Sequence, residues 1–359
     1  MGKILIKNGR LWDGEAFSRA DILTDGDRVA KIEDHLSEPA DFTYDAAGQI
    51  VSAGLVDIHV HMRGISSHKF GIQAEMSCFP FGVTAAADAS GAHGDRALAD
   101  SFMLKNVIFA KVGFQSNRAD FTETEERLSC FGDRAAGIKA YFDTKMSEVT
   151  DILPLREACD FAHARGLRVM VHCSNSPVPM AEILNTLASG DILTHAFHGG
   201  VNKASEDGGF EVMKRARARG VIIDAGMAGH VHTDFAVLES AVRQGILPNT
   251  ISTDITRSSA YKRGGRYGMT MCMNIAKAVG MGEADIFRAV TSAPAAALGK
   301  EREWGHLAVG RCADIAVFDD RAAEPFDLTD KAGNRVQGTE GYRCVLTVSD
   351  GEVVYRTGR

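Results

Sequence analysis

Long apolar runs are missing from this sequence: no stretch approaches the roughly 20 residues that a membrane helix needs. The N-terminal Met1-Gly2-Lys3-Ile4-Leu5-Ile6 turns polar at Lys7, too soon for the apolar core of a secretory leader. Paired cysteines are missing as well. The seven present, Cys78, Cys130, Cys159, Cys173, Cys272, Cys312 and Cys344, are odd in number, scattered and without a CxxC pair, which argues against a disulfide framework. Blocks of one charge are also absent. The net charge of -7 is spread along the chain and leaves no electrostatic footprint for nucleic acid or an anionic membrane. The expectation is a soluble, cytoplasmic protein with reduced thiols and a small molecule as its partner.

What is there is an ordinary globular balance, 45% hydrophobic against 24% charged, which excludes long disorder. The 359 residues exceed the roughly 250 of an α/β barrel by about a hundred. Between residues 52 and 305, eight short apolar runs (55–58, 83–87, 107–112, 137–141, 168–171, 192–194, 221–223 and 250–252) are each followed by a helix-compatible stretch. Their spacing of about 25 to 35 residues suits one strand-helix unit each, and eight such units predict a closed parallel (β/α)8 barrel. One helix, 152–165, places Leu155, Cys159 and Ala162 on one face before Gly166, and another, 210–219, stops at Gly220. The ends, 1–51 and 306–359, read instead as strands and turns, among them Asp350-Gly351 before Val353-Val354-Tyr355. Neither end can cover both faces of its strands alone, so together they predict one small β-sandwich domain.

The chemistry gathers at strand ends. His59 and His61 lie two apart at the end of the first run, so both imidazoles share a face. His172, His195 and Asp254 each close another run, on the side where barrel enzymes build their sites. Taken singly, each has a structural alternative: a hydrogen-bonded strand-end histidine, or for Asp254 a helix N-cap. Jointly, four imidazoles and a carboxylate from four strands point to a metal centre. Lys139, in Ala135-Ala136-Gly137-Ile138-Lys139-Ala140-Tyr141, sits on an apolar strand. Buried there it would tend to lose its proton, and a neutral amine can add carbon dioxide to form a carbamate. The alternatives are a snorkelling lysine or a pair with Asp254.

These residues resemble the amidohydrolase superfamily in its binuclear subtype: Asp57-x-His59-x-His61, Lys139, His172, His195 and Asp254 stand in the family's order. The likeness is strongest to the amidohydrolase/deacetylase, dihydroorotase-like group, through Val171-His172-Cys173-Ser174-Asn175-Ser176-Pro177, Gly190-Asp191-Ile192-Leu193-Thr194-His195 and Ile251-Ser252-Thr253-Asp254. Ser292-Ala293-Pro294-Ala295 and Gly310-Arg311-Cys312-Ala313-Asp314-Ile315 extend it over nearly the whole chain.

The resemblance implies two divalent metal ions, with zinc the expected species and manganese, cobalt or iron able to use the same ligands. His59, His61 and Asp254 would hold the more buried ion, and His172 and His195 the more exposed one. A carboxylated Lys139 and a hydroxide would bridge the two ions. Asp254 would act as general base and then general acid. The implied activity is hydrolysis of an amide or ester acyl bond in a small carboxylate, such as an N-acyl-D-amino acid or an acyl hydroxy acid. Cyclic amide hydrolysis of the dihydroorotase or hydantoinase kind is the alternative, and a catalytically inactive structural relative is a third reading. Arg63 is a candidate clamp for a substrate carboxylate, with Tyr141 and Asn175 as further contacts. After Asp224-Ala225-Gly226 this chain carries Met227 where relatives tend to carry histidine, which points either to His230 or His232 as the stand-in or to a different substrate. The fold often forms homo-oligomers.

Overall fold

Strands buried on both faces need apolar or small residues at every position, and the middle of the chain supplies them. In the computed structural model, which describes residues 2–62, 71–89, 96–228, 231–262, 266–321 and 325–358, every residue of Leu55–Val60 and Val83–Asp88 is buried. These two strands begin a parallel sheet that continues in chain order through Lys105–Gln115, Ala135–Tyr141, Arg168–His172, Ile192–Thr194 and Ile222–Ile223. The first seven predicted runs are therefore its seven parallel strands, and a short antiparallel strand, Arg118–Asp120, pairs with Lys105–Gln115 off this path.

The eighth run is not a regular strand. Parallel bridges tie Val60 to Ile255 and Asp224 to Thr250, so the extended segment 250–255 lies between the two edges of the sheet. Its regularity is interrupted because its amides are drawn elsewhere: Thr253 N–H donates to the Asp57 carboxylate at 3.2 Å and Ile251 N–H to the Ala289 carbonyl. Side chains from five strands, including Ile58, Ala87, Phe109, Met170 and Ile192, meet in one apolar cluster, which requires the sheet to curl. The fold is thus α/β, with a curled parallel sheet and helices against it.

The helices follow their apolar faces. Leu153–His163 buries Leu155, Cys159 and Ala162, and the chain then turns at Gly166 with φ of 67°. Gly209–Ala218 is followed by Gly220, and Phe235–Arg243 is N-capped by the Asp234 carboxylate, which accepts from the amides of Ala236 and Val237.

Both chain ends contribute to a second, eight-stranded sheet. Its order runs Glu352–Arg356, Arg343–Ser349, Ile315–Asp319, Ile50–Ala53, Ile4–Trp12, Phe17–Asp25 and Arg28–Glu33, with Phe42–Asp45 also on Ile4–Trp12. A separate hairpin, Phe326–Thr329 with Arg335–Gly338, reaches the other sheet's helices: the Asp330 carboxylate accepts from the Phe235 amide at 2.8 Å. Lys105 ties the two sheets together, donating to Asp314 at 2.7 Å and pairing with Asp350 at 2.8 Å. No described helix is long and apolar enough to cross a membrane. All seven cysteines are free thiols, five of them buried.

Candidate metal centre

The predicted ligands emerge where the parallel strands end. His59 lies on the first strand and His61 just past it, Lys139 is on the fourth, His172 ends the fifth, His195 follows the sixth, and Asp254 belongs to the segment between the sheet edges. None of the six is more than 5% exposed, so any charge among them must be compensated locally.

Asp254 is the hub. Its Oδ1 lies 2.8 Å from His61 Nε2 and 3.3 Å from His59 Nε2, and its Oδ2 lies 3.8 Å from the Nε2 atoms of both His195 and His232. Asp254 and His195 each adopt a left-handed backbone, φ 47° and 58°, which is unfavourable for side chains of this kind and is retained where the surroundings enforce it. Behind His195, Gly226 brings its carbonyl to 2.5 Å from Nδ1; a Cβ there would fall 2.4 Å from Thr194 Oγ1.

Hydrogen bonds behind the rings set which nitrogen faces inward. The Thr194 hydroxyl donates to Asp224 at 2.7 Å, so the same oxygen accepts from His59 Nδ1 at 2.9 Å and leaves Nε2 as a lone-pair donor. His195 gives its Nδ1 proton to Gly226, and His172 gives its Nε2 proton to the Asp143 carboxylate at 3.1 Å. The inward Nε2 of His59 lies 3.3 Å from Asp254 Oδ1 and 3.1 Å from Lys139 Nζ. His195 Nε2 is buried with no hydrogen-bond partner among the described residues, a cost of about 1 to 3 kcal/mol in a site built for nothing.

The electrostatics agree. Burial, reinforced by neighbouring groups, holds His59 and His195 well below the usual imidazole range, which favours their neutral forms. Burial would raise Asp254, but His59 and His61 outweigh it and keep the carboxylate ionised. Burial also brings the Lys139 ammonium down to about 7, and Nζ lies 3.1 Å from His59 Nε2. Asp57 and Asp224 are pushed up by burial, to about 7 and about 6. Hydroxyl donors compensate them: Thr253 for Asp57 at 2.6 Å, and Thr194, Thr250 and Ser252 for Asp224.

Of the other residues singled out in the sequence, Asn175 donates to Asp143 at 2.8 Å and accepts from Lys145 at 2.9 Å, so its amide supports the carboxylate behind His172. Tyr141 donates to the Ala89 carbonyl at 3.4 Å, its ring 5.5 Å from Lys139 Nζ. Arg63 and His230 lie outside the described residues. Sequence reasoning missed Asp143 and the supporting roles of Thr194 and Asp224. Their only signal is position, two residues past a strand end for Asp143 and at strand ends for the others. His198 and His232, together with Ser174, Asn175, Lys145, Lys203 and Lys331, line a cavity of about 790 Å³ opening beside the histidines.

Two groups of donors there are compact enough for an ion, His59 with His195 and Asp254, and His172 with His195 and His232. Imidazole and carboxylate donors suit zinc and similar divalent ions, and the orphaned His195 nitrogen fits such an occupant.

This arrangement has counterparts among known proteins. The sequence profile of the amidohydrolase family matches residues 81–355, and the chain belongs to that family. It is a hydrolase. A deacetylase of Enterococcus faecalis is 28% identical over 370 residues, spanning 98% of each chain. The crystal structure of a dihydroorotase superimposes with a TM-score of 0.87 at 24% identity, over 99% of this chain and 98% of that one. An adenine deaminase structure gives 0.85 at 25% identity, over 99% of both.

Proposed function

We propose that this protein is a metal-dependent deacylase that cleaves the amide or ester acyl bond of a small carboxylate, such as an N-acyl-D-amino acid or an acyl hydroxy acid. The observation that carries this reading is the convergence of four imidazoles on the two oxygens of Asp254 beside a buried, readily deprotonated Lys139. In this reading residues 52–305 form a closed (β/α)8 barrel and residues 1–51 and 306–359 a small β-sandwich. His59, His61 and Asp254 would hold one ion, and His172 and His195 the other. Divalent ions bound there, zinc foremost, would supply acidification of a water and polarisation of the acyl carbonyl.

The chain's own groups do the rest. Lys139 Nζ, which burial disposes to lose its proton, would add to carbon dioxide with release of a proton, and the resulting carbamate would supply an anionic oxygen ligand. Asp254 takes the proton of the attacking water on a carboxylate oxygen and returns it to the departing nitrogen or oxygen. Asp143, steadied by Asn175, keeps His172 in one tautomer. Lys145, Lys203 and Lys331 give the cavity a positive rim for the substrate carboxylate, with Arg63, His230 and Tyr141 as further candidate contacts.

Likeness to dihydroorotases over the full length of both chains favours cyclic amide hydrolysis as a second reading, but identity to the deacetylase is higher, 28% against 24%. The test is turnover by metal-replete protein of N-acetyl-D- and L-amino acids, acyl hydroxy acids, dihydroorotate and hydantoins. Turnover of an open-chain acyl substrate is the expected result. Turnover confined to the cyclic amides, or none, overturns the deacylase reading.

A further inference from the structure

We propose that His232 is itself a metal ligand, through Nε2, and completes a three-imidazole site with His172 and His195; this rests on the metal-dependent reading above. The three rings pack closely, with His232 centred 4.1 Å from His195 and 4.9 Å from His172, and His172 and His195 4.6 Å apart. One nitrogen from each lies within 4.8 Å of the others. Each ring is also tied from behind at its other nitrogen. His195 Nδ1 donates to the Gly226 carbonyl, His172 Nε2 to Asp143, and His232 Nδ1 is hydrogen-bonded to the Ser174 hydroxyl at 2.8 Å. The untied nitrogens therefore face one another, and His195 Nε2 finds no partner. Three imidazoles with outer hydrogen bonds and inward lone pairs match the donor pattern of a three-histidine zinc site.

The backbone holds His232 in place independently of any ligand. Its carbonyl accepts from the Gly199 amide at 3.2 Å, Thr233 is bridged to His198, and Asp234 caps the next helix. Five residues past the buried Met227, the chain has returned an imidazole to the mouth of the sheet. A ring merely lining the substrate cavity would not need its inner nitrogen gathered with those of two other histidines. His232 also faces the cavity, so a substrate contact is the competing role to be separated by experiment.

Metal-stripped protein titrated with Co²⁺, read by absorption and by metal content after dialysis, makes that separation. The unsubstituted chain is expected to take up two ions; uptake of none would refute the metal-dependent reading itself, and with it this site. His232→Ala is expected to weaken one ion roughly 100-fold or more and leave the other unchanged, with the visible spectrum altered. Ser174→Ala, which removes the outer hydrogen bond, is expected to weaken the same ion by about 10- to 100-fold. Melting of the metal-free variants should match that of the parent, which separates lost ligation from lost folding. If both variants bind two ions with parental affinity and spectrum, and His232→Ala changes only KM, His232 is a substrate contact and the proposal is wrong.

Discussion

Among the described residues, two places gather donor atoms tightly enough for a metal ion, and their surroundings differ sharply. At the end of the parallel sheet, His59, His172, His195, His232 and Asp254 meet. At the junction with the terminal sheet, Cys312, Asp314 and Asp350 do. The second cluster already contains its cation. Lys105 sits 2.7 Å from Asp314 and 2.8 Å from Asp350, the Cys312 thiol donates to Asp350 at 2.9 Å, and burial pushes that thiol up to about 12. Every charge is answered within the protein. The first cluster is the reverse: its one lysine is disposed to lose its proton, its imidazoles are neutral, and one buried nitrogen has no partner. Proximity of donors is common to both, and the unmet demand for a cation distinguishes them.

Substitutions should separate the two clusters sharply. Asp254→Asn removes the proton carrier and an ionised ligand, and kcat/KM on the substrate identified is expected to fall about 10²- to 10⁴-fold or more, whereas Asp314→Asn should leave it within a few-fold. Comparable losses in both, measured by steady-state kinetics, would abolish the distinction.

Lys105→Met strands two carboxylates. Breaking a fully buried pair costs about 3 to 5 kcal/mol; with Asp350 about half exposed, a loss of about 2 kcal/mol in urea unfolding is expected, with activity per folded molecule unchanged.

The smallest effect concerns Lys139 in metal-stripped, carbon dioxide-depleted protein. Its folded value of about 7 lies below the unfolded 10.5, so above pH 7 the unfolded chain binds the extra proton and stability rises with pH. Between pH 7 and about 8.5, below the thiol range, the slope should approach but not exceed about 1.4 kcal/mol per pH unit. Lys139→Met should flatten it. The raised Asp57 works in the opposite sense, but its contribution is spent as pH reaches about 7.

His59, His61, His172, His195 and Asp254 were legible as candidates because an apolar run followed by a polar residue states both the strand and its end. A strand's two-residue period then puts His59 and His61 on one face before any fold is known. Lys139 stood out because a lone ammonium in an apolar strand must be buried or displaced. The last run, 250–252, was legible as extended chain but not as irregular, since the diversion of the Thr253 amide depends on Asp57, almost two hundred residues away.

Loops carried what the sequence could not disclose. Asp143 reaches His172 only because the fourth and fifth strands pair in register, Tyr141 opposite His172. Asn175 looked like a substrate contact, yet its amide lies between Asp143 and Lys145. The sequence alone thus determined the α/β alternation and the strand ends that bear the candidate donors, because these depend on local periodicity and burial. The tertiary structure alone decided which nitrogen of each ring faces inward, that His232 joins the cluster, and that Cys312, Asp314 and Asp350 are satisfied by Lys105. Those depend on hydrogen bonds and charges that meet only when distant segments close upon one another.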